Sequence, residues 1–290
     1  MMSPLTYDFE SFIYKGRKGK YGHPFHIVQP SGWPFLVSFF VLFFVLSFVV
    51  YAFITVGNPA YFFPVLCSFC FVFCGALAWW YQIIVEEKTG NDLAHNLKVE
   101  KGLRMGMYLF IVSEIMFFFG FFWAFFHSSV SPSIQIGAVW VPKGIIPFNP
   151  WDIPLLNSII LLSSGVTVTW AHYAILSLQK FTGKLALTYT VVLGIIFTGF
   201  QWLEYVSSLF DISDGIFGSC FFLLTGFHGF HVLIGTLFLF ICLLRFVVPF
   251  TRLRLTSYRH FALEAAIWYW HFVDVVWLFL FICVYWWGGF

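Results

Sequence analysis

The most constraining feature of the sequence is a run of residues, 21–85, that contains no Asp, Glu, Lys or Arg. A membrane-spanning helix needs about 20 consecutive apolar residues, so this run is long enough for two. The tripeptide Gly-Asn-Pro at 57–59 is typical of a turn and divides the run into two spans. Each half is continuously apolar rather than alternating, which favours helices over the strands of a barrel.

The whole chain has the composition of a membrane protein. Its 290 residues are 60% apolar and 10% charged, whereas an average soluble domain is about 25% charged. This composition excludes a disordered chain and a disulfide-stapled secreted domain, and a net charge of +2 excludes a nucleic-acid partner. The uncharged stretches predict an all-α protein with seven transmembrane helices. The predicted spans lie near residues 35–56, 61–85, 103–127, 153–178, 185–206, 215–247 and 261–287.

The positions of the basic residues predict the orientation. With seven spans, fourteen of the 15 Lys and Arg residues fall on one side, in the N-terminal segment and in loops two, four and six. Only Lys143 falls on the other side. Basic residues accumulate on the cytoplasm-like side of a membrane, so we expect the N-terminus there and the C-terminus opposite. The first thirty residues resemble neither a secretory signal nor a transit peptide.

Polar residues at membrane depth are the candidates for function, because each is costly to place there. Glu114 stands among Phe, Ile and Met residues in the third predicted helix. Two interpretations remain open. Glu114 is either an acid that handles protons or contacts lipid headgroups, or a protonated side chain that hydrogen bonds to a neighbouring helix.

The seventh predicted helix carries Glu264, His271 and Asp274, which helical geometry predicts as one polar stripe facing the bundle interior. The helices before it contribute a further set of polar residues: His172, Glu204, His228 and His231. Metal or haem ligation is one interpretation, but paired Glu-x-x-His motifs are missing. The favoured interpretation is a structural network of interhelical hydrogen bonds and ion pairs, with no metal.

Several ordered motifs resemble subunit III of cytochrome c oxidase. They are EKGLR at 100–104, SE at 113–114, FGFFWAFFHSS at 119–129, SGVTVTWAH at 164–172, ISDG at 212–215, TGFHG at 225–229 and WYWHFVD at 268–274, followed by VVW. The resemblance covers about residues 21–288. The motifs are long and run from the third predicted helix to the seventh, so the resemblance is specific.

The resemblance implies a two-helix group and a five-helix group separated by a lipid-filled, V-shaped cleft. It divides the chain into an N-terminal matrix-side segment at 1–34, helices 1–2 at 35–85 and helices 3–7 at 86–290. The implied partners are subunits I and II, accessory subunits and phospholipids. Haem a and copper are expected in the partner subunits, and no cofactor is expected in this chain. The resemblance also implies that the protein is located in the mitochondrial inner membrane.

By the same resemblance, the chain is a non-catalytic core subunit of the respiratory complex that passes electrons from cytochrome c to oxygen and pumps protons. Its expected roles are lipid binding, stabilisation of the catalytic subunit and assistance to proton uptake. Glu114 matches the family's intramembrane glutamate, and Trp123 and His95 match positions near the cleft lipids. The alternatives are subunit III of a related quinol oxidase and a stand-alone proton-coupled transporter.

Overall fold

The structure is a computed structural model, and it describes residues 28, 30–54, 61–89, 97–247 and 260–289. His95 and most of the predicted N-terminal segment lie outside these ranges. Seven helices are long and apolar enough to cross a membrane, and the described ranges contain no strand. The prediction of an all-α protein with seven membrane-spanning helices is therefore confirmed. The helices are α1 (Trp33–Val49, continued by a π-helical turn over Val50–Ile54), α2 (Phe62–Thr89), α3 (Leu97–Val130), α4 (Ile153–Leu176), α5 (Lys180–Val206), α6 (Gly215–Val247) and α7 (Phe261–Leu280, continued by a π-helical segment over Phe281–Trp287).

Two helices begin earlier than the hydropathy predicts. α3 starts at Leu97 and α5 at Lys180, whereas the predicted starts were 103 and 185. Both added segments carry lysines, whose long aliphatic stems can lie along a helix while the charge reaches water. At about 1.5 Å per residue, the 34 residues of α3 measure about 51 Å, which exceeds the ~30 Å hydrocarbon core of a bilayer. The basic residues therefore lie on an extension of the helix.

Local sequence explains where three helices begin. Pro34 and Pro154 stand in the first turns of α1 and α4, where the missing proline N–H has no intrahelical partner to lose. α6 begins at Gly215, whose φ of +69° favours glycine. In the loop before it, the Asp214 carboxylate accepts the Asp211 backbone N–H at 2.7 Å, which closes the turn.

The chain divides into two compact units, Met1–Leu103 and Arg104–Phe290. In the first unit α1 packs against α2. The rings of Phe40 and Phe71 are 5.7 Å apart, and a Cβ on Gly75 would lie 2.9 Å from the Phe40 ring. No residue of α1 is fully buried.

The second unit has its core where α4, α5, α6 and α7 meet, around the fully buried Trp270 of α7. Its indole N–H donates to the Ser164 hydroxyl on α4 at 2.8 Å. A Cβ on Gly194 of α5 would lie 2.8 Å from the Trp270 ring, and one on Gly235 of α6 would lie 2.9 Å from it. Two glycines and a serine on three helices therefore enclose one tryptophan.

Candidate functional site: polar clusters at membrane depth

Glu114 of α3 pairs with His231 of α6. The Glu114 Oε2 and His231 Nε2 atoms are 2.7 Å apart, and the other ring nitrogen, Nδ1, is 2.6 Å from the Phe227 carbonyl oxygen. The side chains are 22% and 8% exposed, so the pair is largely removed from the surface. The rings of Phe117 and Phe118 pack around the imidazole.

The contacts of His231 fix how many protons the pair holds. The Phe227 carbonyl can only accept a hydrogen bond, so His231 Nδ1 carries a hydrogen and donates it. The contact between Nε2 and Glu114 Oε2 then requires one further proton, on either the imidazole or the carboxyl group. In both arrangements the pair is neutral overall. The imidazole and the carboxyl group therefore share one proton across this contact.

A second cluster surrounds Glu264 at the beginning of α7. Arg104 Nη2 lies 2.9 Å from Glu264 Oε2, and His260 Nε2 lies 2.9 Å from Glu264 Oε1. His172, near the end of α4, places its Nε2 4.0 Å from the same Oε1. The Glu264 side chain is 10% exposed. Glu264 and His172 were predicted from the sequence as members of a polar network, whereas Arg104 and His260 were not.

Three side chains of the second cluster, those of His172, His260 and Glu264, form the group among the described residues that could hold a metal ion. The ligand atoms of His172, His260 and Glu264 all lie within 4.8 Å of one another. Two imidazoles and one carboxylate are a ligand set that Zn²⁺ accepts in proteins.

The contact between His260 and Glu264 has a signal in the sequence. The two residues are four positions apart at the start of a helix, a spacing that brings side chains together on one face.

A third cluster joins α5 to the C-terminal segment of α7. The Tyr285 hydroxyl donates to Glu204 Oε1 at 2.6 Å, and Gln201 Nε2 lies 3.4 Å from the same hydroxyl. All three side chains are buried. Beside them, the Tyr205 hydroxyl donates to Thr225 of α6 at 2.7 Å. Glu204 therefore has a hydrogen-bond partner, Tyr285, that the sequence pattern did not predict.

The buried His228 is also held inside the bundle. Its Nε2 donates to the Val273 carbonyl at 3.2 Å, and its ring lies 5.2 Å from that of Trp277. These contacts place His228 between α6 and α7. His231, three residues further along α6, belongs instead to the pair with Glu114.

The predicted stripe on α7 separates into two places. Glu264 belongs to the second cluster, whereas His271 and Asp274 form a pair further along the helix, with His271 Nδ1 3.4 Å from Asp274 Oδ2. His271 Nε2 lies 3.4 Å from the Thr169 hydroxyl of α4. Asp274 is buried. The His271 side chain is 44% exposed, so it faces the surface of the chain as well as the interior of the bundle.

Two residues that are predicted to contact lipid, Trp123 and His95, belong to none of these clusters in the described part of the chain. The Trp123 side chain on α3 is 63% exposed, and its ring lies 6.2 Å from that of Phe119. His95 lies outside the described residues. The structure therefore brings Glu114 together with His231, and Glu264 with His172. It leaves Trp123 on the surface of the chain.

These features define a class of protein: an all-helical, multi-pass membrane protein in which polar side chains of different helices form ion pairs and hydrogen bonds. The family model described as cytochrome c oxidase subunit III matches residues 23–289. Cytochrome c oxidase subunit 3 of Prototheca wickerhamii is 53% identical over 267 residues, which cover 92% of this chain and 98% of that protein. The same subunit of Marchantia polymorpha is 51% identical and that of Arabidopsis thaliana 50% identical, each alignment covering 92% of this chain and 97% of the relative. The chain belongs to the cytochrome c oxidase subunit III family, and this family is part of an oxidoreductase complex.

Proposed function

We propose that the chain is a non-catalytic core subunit of cytochrome c oxidase in the mitochondrial inner membrane. In this role it supports the transfer of electrons from cytochrome c to oxygen, and the coupled proton pumping, in a complex whose haem a and copper are held by subunits I and II. The family match over residues 23–289 supports this role because it includes all seven helices. Accessory subunits and phospholipids complete the expected set of partners.

The charges at the helix ends support the proposed orientation. Basic residues stand at the start of α3, at the start of α5 and near the end of α6, which are ends on the same side of an alternating bundle. Lys143, between α3 and α4, stands on the other side. By the positive-inside rule this distribution supports an N-terminus in the matrix and a C-terminus in the intermembrane space.

Lipid binding is the second part of the proposal. By resemblance, the chain binds phospholipids and stabilises the catalytic subunit. The exposure of Trp123 supports a lipid contact because tryptophan is suited to the boundary between acyl chains and headgroups. His95 is proposed to contact the same lipids, by resemblance alone.

The Glu114–His231 pair carries the proposal that the chain assists proton uptake. The 2.7 Å contact holds one shared proton at membrane depth, and a pair that is neutral in its resting state avoids the cost of an isolated charge there. Loss of the shared proton would leave a net negative charge on the pair, and gain of a second proton would leave a net positive charge. The pair is therefore a place where a proton can reside briefly beside the catalytic subunit.

The test is Glu114→Gln in the assembled oxidase. We expect normal assembly and an unchanged haem spectrum, because the amide can still hydrogen bond to His231, together with slower proton uptake and a modest loss of turnover. Glu204→Gln is the matched control: it removes a carboxyl group from a buried cluster in which the amide oxygen can still accept from Tyr285. Equal effects of the two substitutions would contradict the role of the pair. Isolation of the chain without haem-bearing partners would contradict the subunit role and favour a stand-alone transporter.

A further inference from the structure

Three side chains that can bind a metal ion meet where α4 ends and α7 begins. His172 stands four residues before the last residue of α4, and His260 immediately precedes the first residue of α7. Glu264 follows in the first turn of α7. The ligand atoms of the three side chains lie within 4.8 Å of one another. The group therefore lies at helix ends, where an ion dissolved in water can approach.

The separations of the three ligand atoms suit one small cation bound among them. Zn²⁺ binds imidazole nitrogen and carboxylate oxygen at about 2.0–2.2 Å, which places neighbouring ligands of a tetrahedral ion about 3.4 Å apart. His260 Nε2 lies 2.9 Å from Glu264 Oε1, and His172 Nε2 lies 4.0 Å from the same oxygen. One separation is shorter and the other longer than the tetrahedral distance, each by about half an ångström. Small rotations of the side chains would therefore complete the geometry.

The ring nitrogen of His172 gives an independent sign of a ligand. The Nε2 atom is buried and has no hydrogen-bond partner, because the 4.0 Å separation from Glu264 Oε1 is too long for a hydrogen bond. A buried polar atom without a partner costs free energy. A cation between His172 Nε2 and Glu264 Oε1 would accept the lone pair of this nitrogen and remove that cost.

Arg104 holds the Glu264 carboxylate from the other side. Its Nη2 atom lies 2.9 Å from Oε2, which leaves Oε1 for the two imidazoles. Carboxylates that bind metal ions are themselves held by hydrogen bonds of this kind. The guanidinium charge also repels a second cation. We therefore expect binding to be reversible, so that the metal can be removed by a chelator.

We propose that His172, His260 and Glu264 form a reversible Zn²⁺ site that links the end of α4 to the beginning of α7. Zn²⁺ accepts two imidazoles and one carboxylate, with water in the fourth position. Mg²⁺ and Ca²⁺ prefer ligand sets made of oxygen. This site is additional to the proposed role in the oxidase and does not depend on it, because all three ligands belong to this chain.

The first test is a zinc titration of the purified protein, with whatever subunits accompany it, after a chelator has removed bound metal. Bound zinc is counted by elemental mass spectrometry. His172→Gln should weaken the binding of one Zn²⁺ by at least ~10-fold, because loss of a ligand costs no less than loss of a residue that supports one. The matched control is His127→Gln, the same exchange at an exposed position of α3, which should leave zinc binding unchanged. Excess Mg²⁺ should not displace the zinc.

The second test locates the metal in the unchanged protein, so misfolding of a variant cannot obscure the result. Anomalous scattering at the zinc absorption edge, from crystals soaked in Zn²⁺, should show a peak among the three side chains. Zinc bound only elsewhere, or equal affinities of His172→Gln and the unchanged protein, would overturn the site and leave the subunit role intact. A chain that isolates without haem but binds zinc here would overturn the subunit role and leave the site intact.

Discussion

Gly194→Ala should destabilise the second unit markedly because of what its Cβ would meet. The added atom would lie 2.6 Å from the Thr236 hydroxyl and 2.8 Å from the Trp270 ring, whereas ordinary contacts are 3.4–4 Å. Trp270 cannot move away easily, since Gly235 closes its other side and Ser164 holds its N–H. Overpacking of this kind costs about 1–3 kcal/mol, and the constraints on Trp270 favour the upper half of that range.

The assay is thermal denaturation of the purified oxidase in mild detergent. A loss of about 2–3 kcal/mol should lower the midpoint of this subunit by roughly 5–10 °C. Gly199→Ala, on the same helix with nothing within 4 Å, is the matched control and should leave the midpoint nearly unchanged. In a Trp270→Phe background the Gly194→Ala penalty should shrink, because phenylalanine lacks the outer ring atoms that the Cβ meets. Equal midpoints for the two alanine variants would refute the reasoning.

Two further substitutions test the polar clusters. Tyr285→Phe removes the donor to the buried Glu204, and should cost about 1–3 kcal/mol in the same thermal assay because a buried acceptor loses its partner; a midpoint equal to that of the unchanged oxidase would show that the hydrogen bond is dispensable. Arg104→Gln removes the cation beside Glu264 and should destabilise by a similar amount. The exposed Lys101→Gln is its control, and similar losses for the two would show that net charge, not the contact, is responsible.

Hydropathy predicted the helices well because seven long apolar runs separated by charged or turn-forming residues permit few other arrangements. Helix starts were predicted less well where lysines begin the helix, as at Lys98 and Lys180, since hydropathy treats a lysine as the end of a span. The helix continues there because its backbone hydrogen bonds do not depend on whether the surrounding medium is lipid or water.

The clusters were predicted only in part, and the reason is geometric. Glu264 and His271 share a face of α7, which a helical projection reveals, but they are seven residues or about 10 Å apart along the axis. Each therefore meets different neighbours. Glu114 and His231 are 117 residues apart in the sequence, and no periodicity connects them. Their contact depends on how α3 and α6 pack, which single-helix patterns do not contain.

The absence of any fully buried residue in α1 has a consequence for how this part of the sequence can change over time. A side chain on the exposed surface of the chain is less constrained in shape than one that packs against another helix. Exchanges among Phe, Leu, Val and Ile at the exposed positions of α1 that do not contact α2 should therefore be close to neutral, while a charged residue near the helix centre costs about 2.5–3.5 kcal/mol. The facing helix is less tolerant at one position. A side chain at Gly75 of α2 would collide with the Phe40 ring of α1. At the exposed positions of α1, natural selection should preserve hydropathy and let the identity of the residues drift.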